Sequence, residues 1–495
     1  MKKRFSTIAF GLLWASSGVA YSIDSESAPR PIPLTRPEMK QYLEDMKSRK
    51  PRIPLPELTA EDKEKLGDRA SGYEGRLRYH YMPAGDLRGG GGTGTGGAGS
   101  GGAGTGTGRT GGGGFGGGGG GGRDADPNMT LDYKFKVQLF WIVSRTNNCQ
   151  YCLGHQESKL LAAGMAEDEI AALDSDWSAF PPAEQAAFAF ARKFTYEPHH
   201  LCDADIDGLR KNFTDLQILE MILSMAGNNS INRWKEGAGI PQSQNGGGFG
   251  RRSESGQATA TQSSSRSERS ETYLTPTAER FQNKVTSVAP LLVDDKTGEP
   301  TRRTICKRPA LETRAEVEQA LATARLRTPR LPLVDESKAR EVLPEDWSQG
   351  SIPQWVRLLA NFPTSAKGRI SGIRSADERG DLSPLLKAQT SWIVARQDRA
   401  WYATGLAKAR LLELGQSEDQ IYQLDGDWKE FSPTARSLFT VARQLAATPV
   451  VLTDNDVDAA VRLAGPRDVV QLISYTTNRA SFDRITEAAG LTLEK

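Results

Sequence analysis

Leu173-Asp174-Ser175-Asp176-Trp177-Ser178-Ala179-Phe180 returns later in the chain as Leu424-Asp425-Gly426-Asp427-Trp428-Lys429-Glu430-Phe431, displaced by 251 positions. Extended outward without a gap, that offset aligns 141–240 with 392–491 and matches 32 of 100 residues. Identity held in one register over that length implies two copies of one domain. Upstream, 36–55 pairs with 314–333 at an offset of 278, including Pro51-Arg52-x-Pro54-Leu55 against Pro329-Arg330-x-Pro332-Leu333. The change of 27 between the offsets (278 − 251) makes the first copy the longer one, and the glycine block at 89–122 accounts for most of the difference.

Both copies read as helical. Thr214-x-x-Gln217 is a capping box ahead of Leu216, Leu219, Ile222, Leu223 and Ala226, apolar at spacings of three and four. The equivalent helix of the second copy opens at Gly465-Pro466. Phe188, Ala191 and Phe194 form another stripe after Pro181-Pro182, and Asp203 and Asp454 are expected as N-caps of short helices. No stretch sustains strand alternation, so the expected fold class is all-α, two tandem copies of one helical domain. Asp174 and Asp176 are expected as caps or turn residues, and Trp141, Trp177, Trp392 and Trp428 as core or interface.

Composition sets the remaining boundaries. Of the 51 glycines, 24 lie in 89–122, which with the Ser/Gly-rich stretch 243–272 has too little apolar surface to offset the entropy of ordering. The glycine block is not a phosphate cradle, because it lacks the flanking strand, helix and lysine such a loop needs. Met1-Lys2-Lys3-Arg4, an apolar or small run to Ala20 and the small residues Gly18 and Ala20 form an export leader. The expected layout is a leader over 1–20, a first domain over 30–242 with a disordered insertion at 89–122, a linker over 243–272, and a second domain over 273–495. The location is periplasmic or extracellular, where thiols are not kept reduced. With 63 Lys+Arg against 61 Asp+Glu, the net charge of +2 falls to about −1 without Lys2, Lys3 and Arg4, so nucleic acid is not an expected partner. No later segment approaches the roughly 20 apolar residues of a membrane span, so no stable membrane insertion is expected.

The densest chemistry is Asn147-Asn148-Cys149-Gln150-Tyr151-Cys152-Leu153-Gly154-His155-Gln156. Two thiols three apart at a helix start can close a disulfide, and the free amides there favour a thiolate. Asn147 or Asn148 is expected to cap that helix, with Cys149 in its first turn. The second copy has Ala400, Ala403 and Leu406 at the positions of Cys149, Cys152 and His155, while Arg396, Tyr402, Gly405 and Gly415 persist, so it reads as a structural mate.

These residues resemble the carboxymuconolactone decarboxylase superfamily, in its alkylhydroperoxidase-like branch, whose mark is a CxxC pair followed by His on an all-helical domain. The resemblance covers 134–239 and, without the cysteines, 385–490. It implies that Cys152 attacks a peroxide, that Cys149 resolves it as a disulfide, and that His155 and an upstream acid shuttle protons. Two departures stand out. Gln156 occupies the family's usual histidine position, and His155, at about 100° per residue, sits on the edge of the cysteine face. Where the family has a glutamate stand Val137 and Gln138, and Gln138 can orient a group but cannot accept a proton. Peroxide reduction by the pair is then expected to be slow, or the acid to come from Glu157 or from elsewhere in the fold.

The leading expectation is an exported thiol peroxidase or thiol oxidoreductase with Cys149, Cys152, His155 and Gln138 as its site. It needs no cofactor and no metal; its partners are a small peroxide and an unidentified dithiol reductant, and the resemblance implies a homo-oligomer. One alternative is a non-enzymatic interaction protein stabilised by zinc on Cys149, Cys152, His199 or His200, and Cys202. Another is a lactone decarboxylase-like enzyme. Pairing of Cys202 with Cys306 is not readable from sequence.

Overall fold

The computed structural model describes residues 29–67, 72–83, 126–175, 177–242, 273, 277–282, 310–343 and 350–494. The leader expected at 1–20, the glycine block at 89–122, the linker at 243–272, Asp176 and Cys306 lie outside the described residues. Among the described residues every regular element is a helix and no strand occurs.

The first half contains α1 (Arg36–Asp45), α2 (Ala60–Leu66), α3 (Tyr73–Tyr81), α4 (Tyr133–Asn147), α5 (Gln150–Ala162), α6 (Glu167–Ser175), α7 (Pro182–Tyr196), α8 (Asp203–Arg210) and α9 (Asp215–Gly237). Local sequence explains their starts. Thr35 and Thr214 cap α1 and α9 in capping boxes with Glu38 and Gln217, and α7 opens on Pro182. Asp203 and Asp454, expected as caps, are instead the first helical residues behind Cys202 and Thr453. Asp205 and Asp456 fix those boundaries by accepting from the backbone N–H of Cys202 and Thr453 at 2.8 and 3.0 Å.

The second half follows these boundaries at the 251 offset. Its helices Pro384–Asp398 and Trp401–Glu413 match α4 and α5 at both ends, and Pro466–Ala489 begins where α9 does. Asn148 and Arg399, between the matched helices, both take left-handed backbone with φ of 58° and 54°. Trp141 Nε1 donates to Asp174 Oδ1 at 2.8 Å, as Trp392 Nε1 does to Asp425 Oδ1 at 2.8 Å. Arg145 Nε and Arg396 Nε reach the same two carboxylates at 3.0 Å. Asp174 is thus a buried acceptor rather than a cap. One pair is retained with its signs exchanged: Lys40 meets Glu157 at 2.6 Å, while at the matching positions Glu318 meets Lys408 at 2.5 Å.

The halves share an apolar core in which Trp141, Phe188 and Ile222 belong to one cluster with Trp392, Phe439 and Ile485. α9 runs against Pro466–Ala489. Gly237 permits the close approach, since a Cβ there would stand 2.7 Å from Ile473 Cγ2. Polar bonds cross in both directions: Arg233 Nη2 donates to the Ala446 carbonyl at 3.0 Å, and Arg484 Nη2 to the Thr195 carbonyl at 3.1 Å. Reciprocal exchange of this kind is the pattern of a two-fold interface. No helix among the described residues is long and apolar enough to cross a membrane.

Candidate active site

The turn between α4 and α5 places the two thiols. Asn148 does not cap α5; it ends α4 in the left-handed conformation that Asn tolerates better than most residues. Its Nδ2 donates to the carbonyls of Arg30 and Pro31 at 3.1 and 3.2 Å, and its Oδ1 accepts from Gln150 Nε2 at 2.9 Å. Cys149 is therefore the N-cap of α5 itself, with φ −89° and ψ 90°. Cys152, at the third helical position, lies against it: Cys149 Sγ donates to Cys152 Sγ at 2.7 Å. A disulfide bond of about 2.05 Å is one small side-chain rotation away. Ala400 repeats this backbone with φ −86° and ψ 90°, so the turn forms without thiols.

Cys149 is fully enclosed, and Cys152 is buried with 4 % of its surface exposed. Burial pushes the Cys149 thiol well above the ordinary range. The neighbouring Cys152 and the Glu236 charge add to this, and the Cys152 backbone N–H opposes it only in part. Cys149 is thus a protonated donor at neutral pH.

The carboxylate beside it, Glu236 of α9, was not singled out from the sequence. Its Oε2 takes Arg49 Nη2 at 3.3 Å and Arg30 Nη1 at 3.4 Å, and its main-chain carbonyl takes Arg52 Nη1 at 2.6 Å. Oε1 is buried and has no hydrogen-bond partner among the described residues. Burial alone would raise the Glu236 pKa, but Arg30, Arg49, Arg52 and Cys149 together hold it below the usual carboxylate range. The one available hint was recurrence: Glu236, Arg49 and Arg52 reappear as Glu487, Arg327 and Arg330.

His155 lies about one turn beyond Cys152 on α5. Its ring stacks on Tyr151 with centroids 4.6 Å apart, and Nδ1 lies 3.2 Å from the Tyr151 carbonyl and 3.1 Å from Gln242 Nε2. Gln242 also donates to the Tyr273 hydroxyl at 2.7 Å, and that hydroxyl packs so closely on Gly154 that a Cβ there would come within 2.5 Å of it. Burial, helped by the Lys235 charge, lowers the His155 pKa to about 4, so the imidazole is neutral at pH 7 and a weak base. No hydrogen bond joins it to either sulfur among the described contacts. Gln138 lies nine residues before the end of α4, about 13 Å back along its axis, and donates to Glu184 Oε2 at 3.3 Å. Gln156 bonds Ser144 Oγ at 2.9 Å and Asn228 Oδ1 at 3.2 Å in the packing between α4, α5 and α9. Glu157, the acid offered as a substitute, is held by Arg36 at 3.1 Å and Lys40 at 2.6 Å.

The ligands of the zinc alternative are dispersed. Cys202 is exposed at the start of α8, His200 Nδ1 faces Glu197 at 3.3 Å, and His199 Nε2 meets Arg399 Nη1 at 3.1 Å. Among the described residues no three His, Cys, Asp or Glu side chains gather as a metal-holding group. The assembled site is therefore the dithiol with Glu236 and its arginines, and His155 flanks it. No protein-family model and no curated protein matches the chain.

Proposed function

We propose that the chain is a two-copy protein of the alkylhydroperoxidase-like kind whose first half reduces a small peroxide with Cys149 and Cys152. The observation that carries this reading is the 2.7 Å contact between the two sulfurs at the start of α5. Matching helix ends and matching Trp–Asp–Arg bonds support the tandem reading. The enclosure of the pair favours a small oxidant over a bulky protein disulfide.

In the proposed cycle the Cys152 thiolate attacks one peroxide oxygen, the O–O bond breaks, and water or an alcohol leaves. Cys152 is then a sulfenic acid. Cys149 attacks that sulfur, water departs, and the S–S bond forms. An external dithiol of unidentified origin returns the two electrons. We further propose that the protein is exported, and that the second half takes the structural place a neighbouring subunit would fill.

Thiol trapping tests this reading. After one equivalent of hydrogen peroxide and quenching with an alkylating agent, the peptide carrying Cys149 and Cys152 is expected unalkylated and lighter by two hydrogens. Full alkylation of both cysteines after peroxide contradicts it.

A further inference from the structure

Asn147, the last residue of α4, stands two residues before Cys149, and its amide is gripped from α9. Its Nδ2 donates to Asn229 Oδ1 at 2.9 Å and to Asn232 Oδ1 at 3.0 Å, and its Oδ1 accepts from Arg233 Nη1 at 3.1 Å. The same guanidinium reaches the second half, where Arg233 Nη2 donates to the Ala446 carbonyl at 3.0 Å and to Thr448 Oγ1 at 2.7 Å. A further bond crosses at the main chain, from the Val450 N–H to the Asn147 carbonyl at 3.3 Å. Asn147 and Arg233 are fully enclosed and Thr448 is buried. The two-fold pattern breaks at this point. Arg484, the equivalent of Arg233, holds the Asp398 carboxylate at 2.7 Å and also donates to Thr448 Oγ1 at 3.1 Å, so one hydroxyl accepts from the arginines of both halves. At the position equivalent to Thr448 stands Glu197, which meets His200 at 3.3 Å. The half without thiols thus supplies the other with a hydroxyl for which the first half has no equivalent.

We infer that the second half positions the Cys149–Cys152 pair through Thr448 and the Val450 N–H, acting by way of Arg233 and Asn147, and so sets how readily the pair closes to a disulfide. The inference rests on the dithiol reading but not on the identity of the oxidant. The path from the interface to the sulfur is short. Asn147 ends α4, Asn148 turns the chain in left-handed backbone, and Cys149 begins α5 with its N–H donating to the Ser144 carbonyl at 2.9 Å. Ser144 Oγ in turn accepts from Gln156 Nε2 of α5 at 2.9 Å and from Asn232 Nδ2 of α9 at 3.1 Å. The 2.7 Å contact between the sulfurs depends on the Cys149 backbone that these bonds hold. Loosening them lowers the effective concentration of one thiol at the other, which disfavours the disulfide. An amide at 147, where the second copy has Asp398, grips the turn without placing a negative charge two residues from Cys149, where it would oppose ionisation of the thiol. Thr448 is a positioning residue in this account, and it explains what a copy without thiols contributes.

The test uses the full chain carrying Cys202→Ser and Cys306→Ser, so that only the pair reacts, equilibrated with graded ratios of dithiothreitol and its disulfide and read by alkylation. Each pair that closes reduces one molecule of the oxidised reagent to its dithiol, so one S–S bond forms as another breaks. Thr448→Val, which keeps the shape of the side chain and removes its hydroxyl, is expected to need an about tenfold higher ratio of oxidised to reduced reagent for half-closure, or about 30 mV. Thr448→Ser keeps a hydroxyl and is expected to return to the background curve. Arg233→Lys, which keeps the charge but not the fork that spans Asn147 and Thr448, is expected to shift the curve the same way. In Asn147→Ala the path is cut, and adding Thr448→Val is expected to move the curve no further. Asp203→Asn, which removes the 2.9 Å contact of Arg330 with Asp203 elsewhere between the halves, is expected to stay on the background curve. A background pair that stays reduced throughout overturns the dithiol reading and this inference with it. A background pair that titrates while Thr448→Val and Arg233→Lys remain on its curve overturns the positioning alone, as do equal shifts in Thr448→Val and Asp203→Asn.

Discussion

Asp174→Ala is expected to lower the unfolding free energy by about 3–5 kcal/mol, the loss typical of breaking a buried ion pair from one side. Asp174 accepts from Trp141 Nε1 at 2.8 Å and Arg36 Nη1 at 3.1 Å and pairs with Arg145 Nε at 3.0 Å. Arg36 has Glu157 and Glu167 to fall back on, but Arg145 is enclosed and its guanidinium meets no other carboxylate among the described residues. Removing the aspartate leaves that charge buried without compensation. The matching change Asp425→Ala is expected to lower stability less, because Arg396 keeps Glu312 at 2.7 Å and the Asp425 side chain is 15 % exposed. Denaturant unfolding of the two variants checks this, and equal losses would contradict the argument.

Cys152→Ser is expected to reduce peroxide turnover, with dithiothreitol as electron donor, at least about a thousandfold, to the level of the uncatalysed reaction. A hydroxyl at that position is neither ionised near neutral pH nor able to form the sulfenic acid on which the rest depends. Cys149→Ser is expected to differ in kind. Cys152 can still take the first peroxide, but with no thiol 2.7 Å away its sulfenic acid persists and is driven to the sulfinic acid by excess oxidant. One turnover followed by inactivation is the expected trace, with the mass of the added oxygens on the Cys152 peptide. Full turnover in Cys152→Ser, or equal behaviour of the two variants, contradicts the assigned order of the thiols. That order agrees with exposure, since Cys152 retains 4 % of its surface and Cys149 none.

Helix placement was legible in the sequence wherever a start carries its own hydrogen-bond chemistry. Thr214 with Gln217 and the Pro182 opening of α7 fall where their residues put them. Cap identity was less legible: Asp203 and Asp454 carry good capping side chains, but the boundary is decided one residue earlier by the back-bonding of Asp205 and Asp456. Asn148 departs from the expected cap of α5 for a related reason. Its left-handed backbone turns the chain after α4 and leaves the cap of α5 to Cys149, and sequence alone does not distinguish an asparagine that ends one helix from one that starts the next.

At the site, the proximity of Cys149 and Cys152 was readable because three residues of helix fix it. The carboxylate was not. Glu236 comes to this end of the fold only because α9 packs against α4 and α5, where Arg30 and Arg49 from a separate segment meet its carboxylate and Arg52 its main-chain carbonyl. Local spacing carries no trace of such an encounter. Gln138 is suggested by its distance along the chain from Cys149, yet it faces Glu184 on α7 from the first half of α4. The side of α5 that His155 presents is occupied by Gln242 and Tyr273, which stand 31 positions apart in the chain and offer no periodic pattern to read.

The claim on which the account depends is that Cys149 and Cys152 act as one two-electron redox unit. Equilibrating the purified chain in a graded series of dithiothreitol and its disulfide, then quantifying both cysteines by alkylation, tests it directly. The account predicts that the two thiols convert together along a single two-electron curve, about 30 mV for each tenfold change in the ratio of forms. Two cysteines that convert independently, or that stay reduced across the whole series, would contradict it.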